Sequence, residues 1–77
     1  MLSMLEVEFN LMLKDLSGKE RTVIDIGEKI CLRELTARLG LPEDVVGMLF
    51  INGQWAPLAT VIRDGDKVRL YPDMEGG

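Results

Sequence analysis

The residues of this sequence best suited to chemistry are its last two, Gly76 and Gly77. A glycine pair has no Cβ, so it fits a channel too narrow for any other dipeptide and adopts backbone angles closed to other residues. Extended from Pro72, the six residues to Gly77 reach about 20 Å at roughly 3.3 Å each, enough to place a carboxylate deep inside another protein. The expectation is that the Gly77 carboxylate is the reactive group. Gly76, Glu75 and Met74 are then the stretch a partner's channel would hold, and the rest of the chain is a handle. The opposed reading is a loose, Gly-rich end without a role.

Elsewhere the means for chemistry are sparse. The sequence has no His, no Cys-x-x-Cys, no phosphate-cradling glycine loop and no paired-carboxylate cluster, and a self-contained enzyme this small would need such a device. The single cysteine, Cys31, cannot form an internal disulfide and reads as a packed, inert thiol. A net charge of −4 argues against a nucleic-acid footprint and for a basic partner surface. No signal peptide is legible in Met1–Glu6 and no apolar run approaches a membrane span, so the expected location is cytoplasmic, away from nucleic acid and membrane. Seventy-seven residues make one small domain, which hides only about 60–65% of its unfolded surface. With one Trp, one Tyr and two Phe, its core must be aliphatic.

The elements that would position the tail follow from periodicity. From Leu5 to Leu13 the odd positions are apolar while Glu6, Glu8 and Asn10 alternate with them, and Met12 breaks the polar set. That period of two marks a strand with one buried face. Lys14–Lys19 reads as a turn and Arg21–Ile26 as a second, β-branched strand, giving a hairpin. The period then changes: Leu32, Leu35 and Leu39 fall at helical spacing, with Arg33, Glu34 and Arg38 left for water. Gly40, Leu41 and Pro42 end that helix, and Cys31 stands at its start, where a thiol is a weak cap. Met48–Ile51 reads as a strand, Asn52–Gly53 as a type I′ turn, and Gln54–Ala56 as a short return strand limited to an edge by Pro57. Arg63–Asp66 is another turn, and Lys67–Tyr71 is the last strand, stopped by Pro72.

The order β-β-α-β-β-β describes an α+β fold, a mixed sheet of four to five strands with one main helix packed on one face. The helix serves as the crossover that returns the chain in parallel. Residues 1–72 form the domain and 73–77 a flexible tail. If Leu49, Ile51, Val68 and Leu70 point inward, alternation puts Phe50, Arg69 and Tyr71 on the outer face, extending to Met12. Exposed aromatics near a reactive tail read as a docking patch. Gly47, Gly53 and Gly65 read as backbone-geometry positions, Trp55 as cover for the edge near Pro57, and Glu6 and Glu8 as part of a solvated face.

Leu41-Pro-Glu-Asp-Val-Val-Gly-Met-Leu-Phe-Ile-Asn-Gly53, then Asp64-Gly-Asp-Lys-Val68, Tyr71-Pro72 and Gly76-Gly77 together resemble the ThiS/MoaD sulfur-carrier proteins. These are relatives of ubiquitin with the β-grasp fold, and the resemblance covers the whole chain. It implies that a ubiquitin-activating-type adenylyltransferase uses ATP and Mg²⁺ to couple AMP to the Gly77 carboxylate, curing its poor electrophilicity. A sulfur donor then makes a C-terminal thiocarboxylate. An acceptor synthase, either a molybdopterin synthase large subunit or a thiazole synthase, takes the sulfur; molybdopterin is the first choice, ahead of thiamine thiazole and tRNA thiolation. On this reading the chain binds no cofactor or metal and is not an enzyme, but a carrier or the small subunit of a synthase. Asp73 and Glu75 depart from the family's small apolar residues before the glycines, and a channel accepting them needs Lys or Arg at its mouth. Two other readings remain: a ubiquitin-like modifier joined to lysines through Gly77, and a non-reactive β-grasp interaction module.

Overall fold

A computed structural model describes residues 4–73. Strand β1 (Met4–Phe9) is followed by helix α1 (Met12–Ser17), β2 (Arg21–Asp25), the short β3 (Lys29–Ile30) and helix α2 (Leu32–Leu39). A 3₁₀ turn (Glu43–Val45) leads into β4 (Val46–Ile51), β5 (Gln54–Ala56), the short β6 (Ile62–Arg63) and β7 (Lys67–Pro72). The main sheet has five strands in the order β2-β1-β7-β4-β5, and β3 pairs with β6 in a separate two-stranded ribbon. β1 and β7 run parallel while their outer neighbours are antiparallel, so the sheet is mixed. A sheet of this order grasping one main helix is the β-grasp arrangement. Among the described residues no helix is long and apolar enough to cross a membrane.

One row of side chains shows how the core is built. Phe9 of β1 lies beside Leu70 of β7, and Leu70 beside Leu49 of β4, each exposed by 1% or less. Leu5, Val7 and Val68 continue that inner face, and Leu35 of α2, Leu13 of α1 and Ile62 close over it. α2 presents Leu32 and Leu35 because they fall one turn apart, near the helical repeat. The helix ends where Gly40 takes a left-handed φ of 74°, letting the Leu41 N–H donate back to the Thr36 carbonyl at 2.9 Å while its side chain rejoins the core. Cys31 occupies the cap position without a side-chain cap bond. It is half-buried rather than packed away, and its Sγ lies 3.5 Å from the Glu34 Oε1 that it donates to.

The structure corrects three sequence expectations and adds a ribbon that none of them foresaw. The strand predicted to run to Leu13 ends at Phe9, and the predicted turn is a helix, α1. The Asn10 N–H still donates to the Leu70 carbonyl at 3.1 Å, but the next ladder bond would have to come from Pro72, which has no N–H. The Asn10 carbonyl instead accepts from the Leu13 N–H at 3.1 Å, Leu11 turns the chain at φ 55°, and α1 begins. Leu13 is therefore buried as alternation requires, but from a helix. β4 starts at Val46, two residues before the predicted Met48, because Gly47 is absorbed in a bulge between the pairs Val46–Pro72 and Met48–Tyr71. The β3–β6 ribbon has two residues per strand, too few for any period to declare itself. Asn52 and Gly53 take φ values of 53° and 84°, as their turn type demands.

Truncating the fully buried Leu35 to Ala should lower stability by about 2–5 kcal/mol in urea unfolding, with the m-value unchanged. Gly40→Ala, strained only by its positive φ, should cost about 1–2 kcal/mol and leave the folded spectrum intact.

Candidate functional site

The candidate reactive residues Met74, Glu75, Gly76 and Gly77 lie outside the described residues. The point from which they depart is within them. β7 is the middle strand of the five, Pro72 is its last residue and is fully buried, and the Asp73 N–H donates to the Val45 carbonyl at 2.9 Å. The segment therefore leaves from the centre of the sheet with its first residue held to the backbone that enters β4. Two hollows flank Asp73. One, of about 290 Å³, is lined by Met12, Pro42, Val45 and Pro72; the other, of about 960 Å³, by Cys31, Leu32, Val46, Gly47 and Leu58 among others.

Phe50, Arg69 and Tyr71 stand together on the sheet face opposite α2. Strand pairing sets one continuous row across all five strands: Arg21, Glu8, Arg69, Phe50 and Trp55. The first three residues form the charged half. The Glu8 carboxylate accepts from Arg69 Nε at 3.1 Å and lies 3.8 Å from an Arg21 nitrogen, so one carboxylate spans three strands. The remainder is aromatic: the Phe50 and Tyr71 rings meet edge to face, centroids 5.4 Å apart at 65°, with Met48 paired beside Tyr71 and Trp55 beside Phe50. Trp55 is 63% exposed, so it does not cover the edge as expected but extends the aromatic face. Met12 belongs elsewhere, on α1 beside Pro72 and Asp73.

Two members of this row, Trp55 and Glu8, have a place the sequence reading did not give them, and only one of the two was legible. The two-residue Asn52–Gly53 turn places Phe50 opposite Trp55, so hairpin register alone puts Trp55 on the open face. Glu8 carried no such signal, because its bond to Arg69 depends on the parallel pairing of residues 61 positions apart in sequence. The face also qualifies the inference from net charge. Its groove is lined by Glu6, Glu8, Arg21, Lys67 and Arg69, mixed in sign and locally more basic than the −4 chain. Among the described residues no group of His, Cys, Asp and Glu is arranged to hold a metal ion.

Comparison with known proteins places these features in a family. The family model described as Mut7-C ubiquitin matches residues 4–76. A Pyrococcus furiosus protein described as subunit 1 of a molybdopterin converting factor has a similar solved structure. Its TM-score is 0.71 at 20% identity, with 90% of this chain and 95% of that one covered. Small archaeal modifier protein 1 of Haloferax volcanii gives 0.70 at 19% identity over 91% and 97%. The protein of the same name from Methanosarcina acetivorans gives 0.70 at 20% over 100% and 99%. No curated protein sequence matches the chain significantly.

Both arginines bonded to Glu8 are more than half exposed, so Glu8→Gln should change stability by less than about 1 kcal/mol, and by less still in high salt. Urea unfolding at two ionic strengths checks this; a loss above about 2 kcal/mol would mean the row is a structural network.

Proposed function

The chain belongs to the Mut7-C ubiquitin family, and from that premise we propose that it is a sulfur carrier, a substrate of partner enzymes rather than an enzyme. The observation that carries this reading is the seat of the tail. The segment ending in Gly76–Gly77 leaves from the middle strand, its root held at Asp73, beside a face with half-buried Phe50 and Tyr71 and exposed Met48 and Trp55. Such a body can dock by its face while the glycines enter a narrow channel.

The chemistry then divides between the chain and its partners. The Gly77 carboxylate attacks the α-phosphorus of ATP in a ubiquitin-activating-type adenylyltransferase, Mg²⁺ offsetting the phosphate charge, and pyrophosphate leaves. Sulfur supplied by the donor at the sulfide level displaces AMP from the acyl carbon, leaving a thiocarboxylate. That sulfur passes to an acceptor synthase, molybdopterin synthase before thiazole synthase or a tRNA-thiolating enzyme, in the cytoplasm. This chain provides the carboxylate, the side-chain-free approach and the docking residues Phe50, Arg69 and Tyr71; Met74, Glu75 and Gly76 occupy the partner's channel. Asp73 and Glu75 call for basic residues at the channel mouth, since unpaired carboxylates are costly to desolvate.

A second reading is supported by fold neighbours named as small archaeal modifiers: the same adenylate is attacked by a target lysine and yields an isopeptide. The two readings separate at the product.

Incubated with the activating enzyme, ATP and a sulfur donor, the protein should exchange one terminal oxygen for sulfur by intact-mass spectrometry, and deletion of Gly77 should abolish the exchange with the fold unchanged. An unaltered mass beside a thiolated control carrier would overturn the carrier reading, and thiol-resistant, Gly77-dependent higher-mass bands in cells would favour the modifier. Phe50→Ala should raise the KM for adenylation about tenfold at similar kcat, if the face docks.

A further inference from the structure

Five glycines, Gly18, Gly27, Gly40, Gly53 and Gly65, hold positive φ angles that explain them. Gly47 is not among them, so backbone freedom does not account for a glycine there. Space does. A Cβ at Gly47 would lie 2.5 Å from the Asp73 Cα, 3.0 Å from its N and 3.1 Å from its Cβ. The two closest atoms are backbone and cannot rotate aside as a side chain would. Three other features converge on this spot. Gly47 is the extra residue of the β4 bulge, its neighbour Val46 pairs with Pro72, and the hydrogen bond from the Asp73 N–H to the Val45 carbonyl holds Asp73 against it.

We infer that Gly47 is a positioning residue for the tail: the missing side chain lets the Asp73 backbone lie directly against β4, and this seat sets the direction in which residues 74–77 leave the domain. The bulge turns the strand locally and the glycine leaves room for the crossing chain. The kinetic consequence rests on the sulfur-carrier reading; the seat itself does not. A side chain at 47 must lift Asp73, break its bond to Val45 and redirect the glycines, while Phe50, Arg69 and Tyr71 keep their places on the far side of the bulge. The defect belongs to delivery of the carboxylate, not to docking.

The test uses the full chain and two variants. In Gly47→Ala, amide exchange by NMR should show the Asp73 protection falling about tenfold or more while Val68 and Leu70 keep theirs. Unchanged Asp73 protection in a folded variant overturns the inference. Asp73→Pro removes the donor from the tail side and leaves Gly47 intact, so it decides the matter if Gly47→Ala does not fold. Its amide shifts at Gly47 and Met48 should move, and stationary shifts count against the seat. With the activating enzyme, both variants should lose about tenfold in kcat with KM within about twofold, a split that general destabilisation would not give. If the wild-type chain is never adenylated, the carrier reading fails, while the exchange and shift measurements still decide the seat.

Discussion

The parallel pairing of β1 with β7 is the constraint on which the rest of the molecule depends. It puts the first and last strands side by side in the middle of the sheet, Val7 against Val68 and Phe9 against Leu70, buried almost completely. Parallel neighbours cannot be joined by a tight turn, so the chain between them must leave the sheet and return. That excursion contains α2, which covers the inner face with Leu32 and Leu35, and the β4–β5 hairpin, which extends the sheet beyond β7. A core aliphatic except for Phe9 follows, enclosed by the inner residues of the central strands and the apolar stripe of α2, with Leu13 of α1 and Ile62.

The same pairing gives the sheet two unlike faces. Inward it offers an unbroken apolar surface. Outward it lines up Glu8 with Arg69 and Arg21, next to Phe50 and Trp55, so charged and aromatic halves share one row. The ion pairs are exposed and contribute little to folding, and they join Arg69, in register beside Phe50, to the first strand. An acidic chain thereby presents a face of mixed charge, so the proposed docking there would depend on local arrangement more than on total charge.

Pro72 connects this architecture to the tail. Lacking an N–H, it ends the ladder with β1 and so releases Asn10 to begin α1, whose Met12 then lies beside the tail root. On its other side it pairs with Val46 across the bulge, which brings Asp73 over Gly47. One residue thus terminates one interface and seats the chain at the next.

Periodicity and turn chemistry were legible at the level of single residues: the inward set Leu49, Val68 and Leu70, the outward set Phe50, Arg69 and Tyr71, the helix stop at Gly40 and the Asn52–Gly53 turn. These signals are local, because side-chain direction and φ sign depend on a residue and its near neighbours. The ion pairs of Glu8, the β3–β6 ribbon, the early end of β1 and the close approach of Asp73 to Gly47 were not legible. Each depends on what a distant strand brings alongside, and Pro72 alters β1 from more than sixty positions away. The sequence by itself determined the elements, their buried faces and the glycine pair at Gly76–Gly77. Only the tertiary structure decided where that pair departs from and what holds its root, because a backbone contact between residues 47 and 73 exists only once the strands between them have paired.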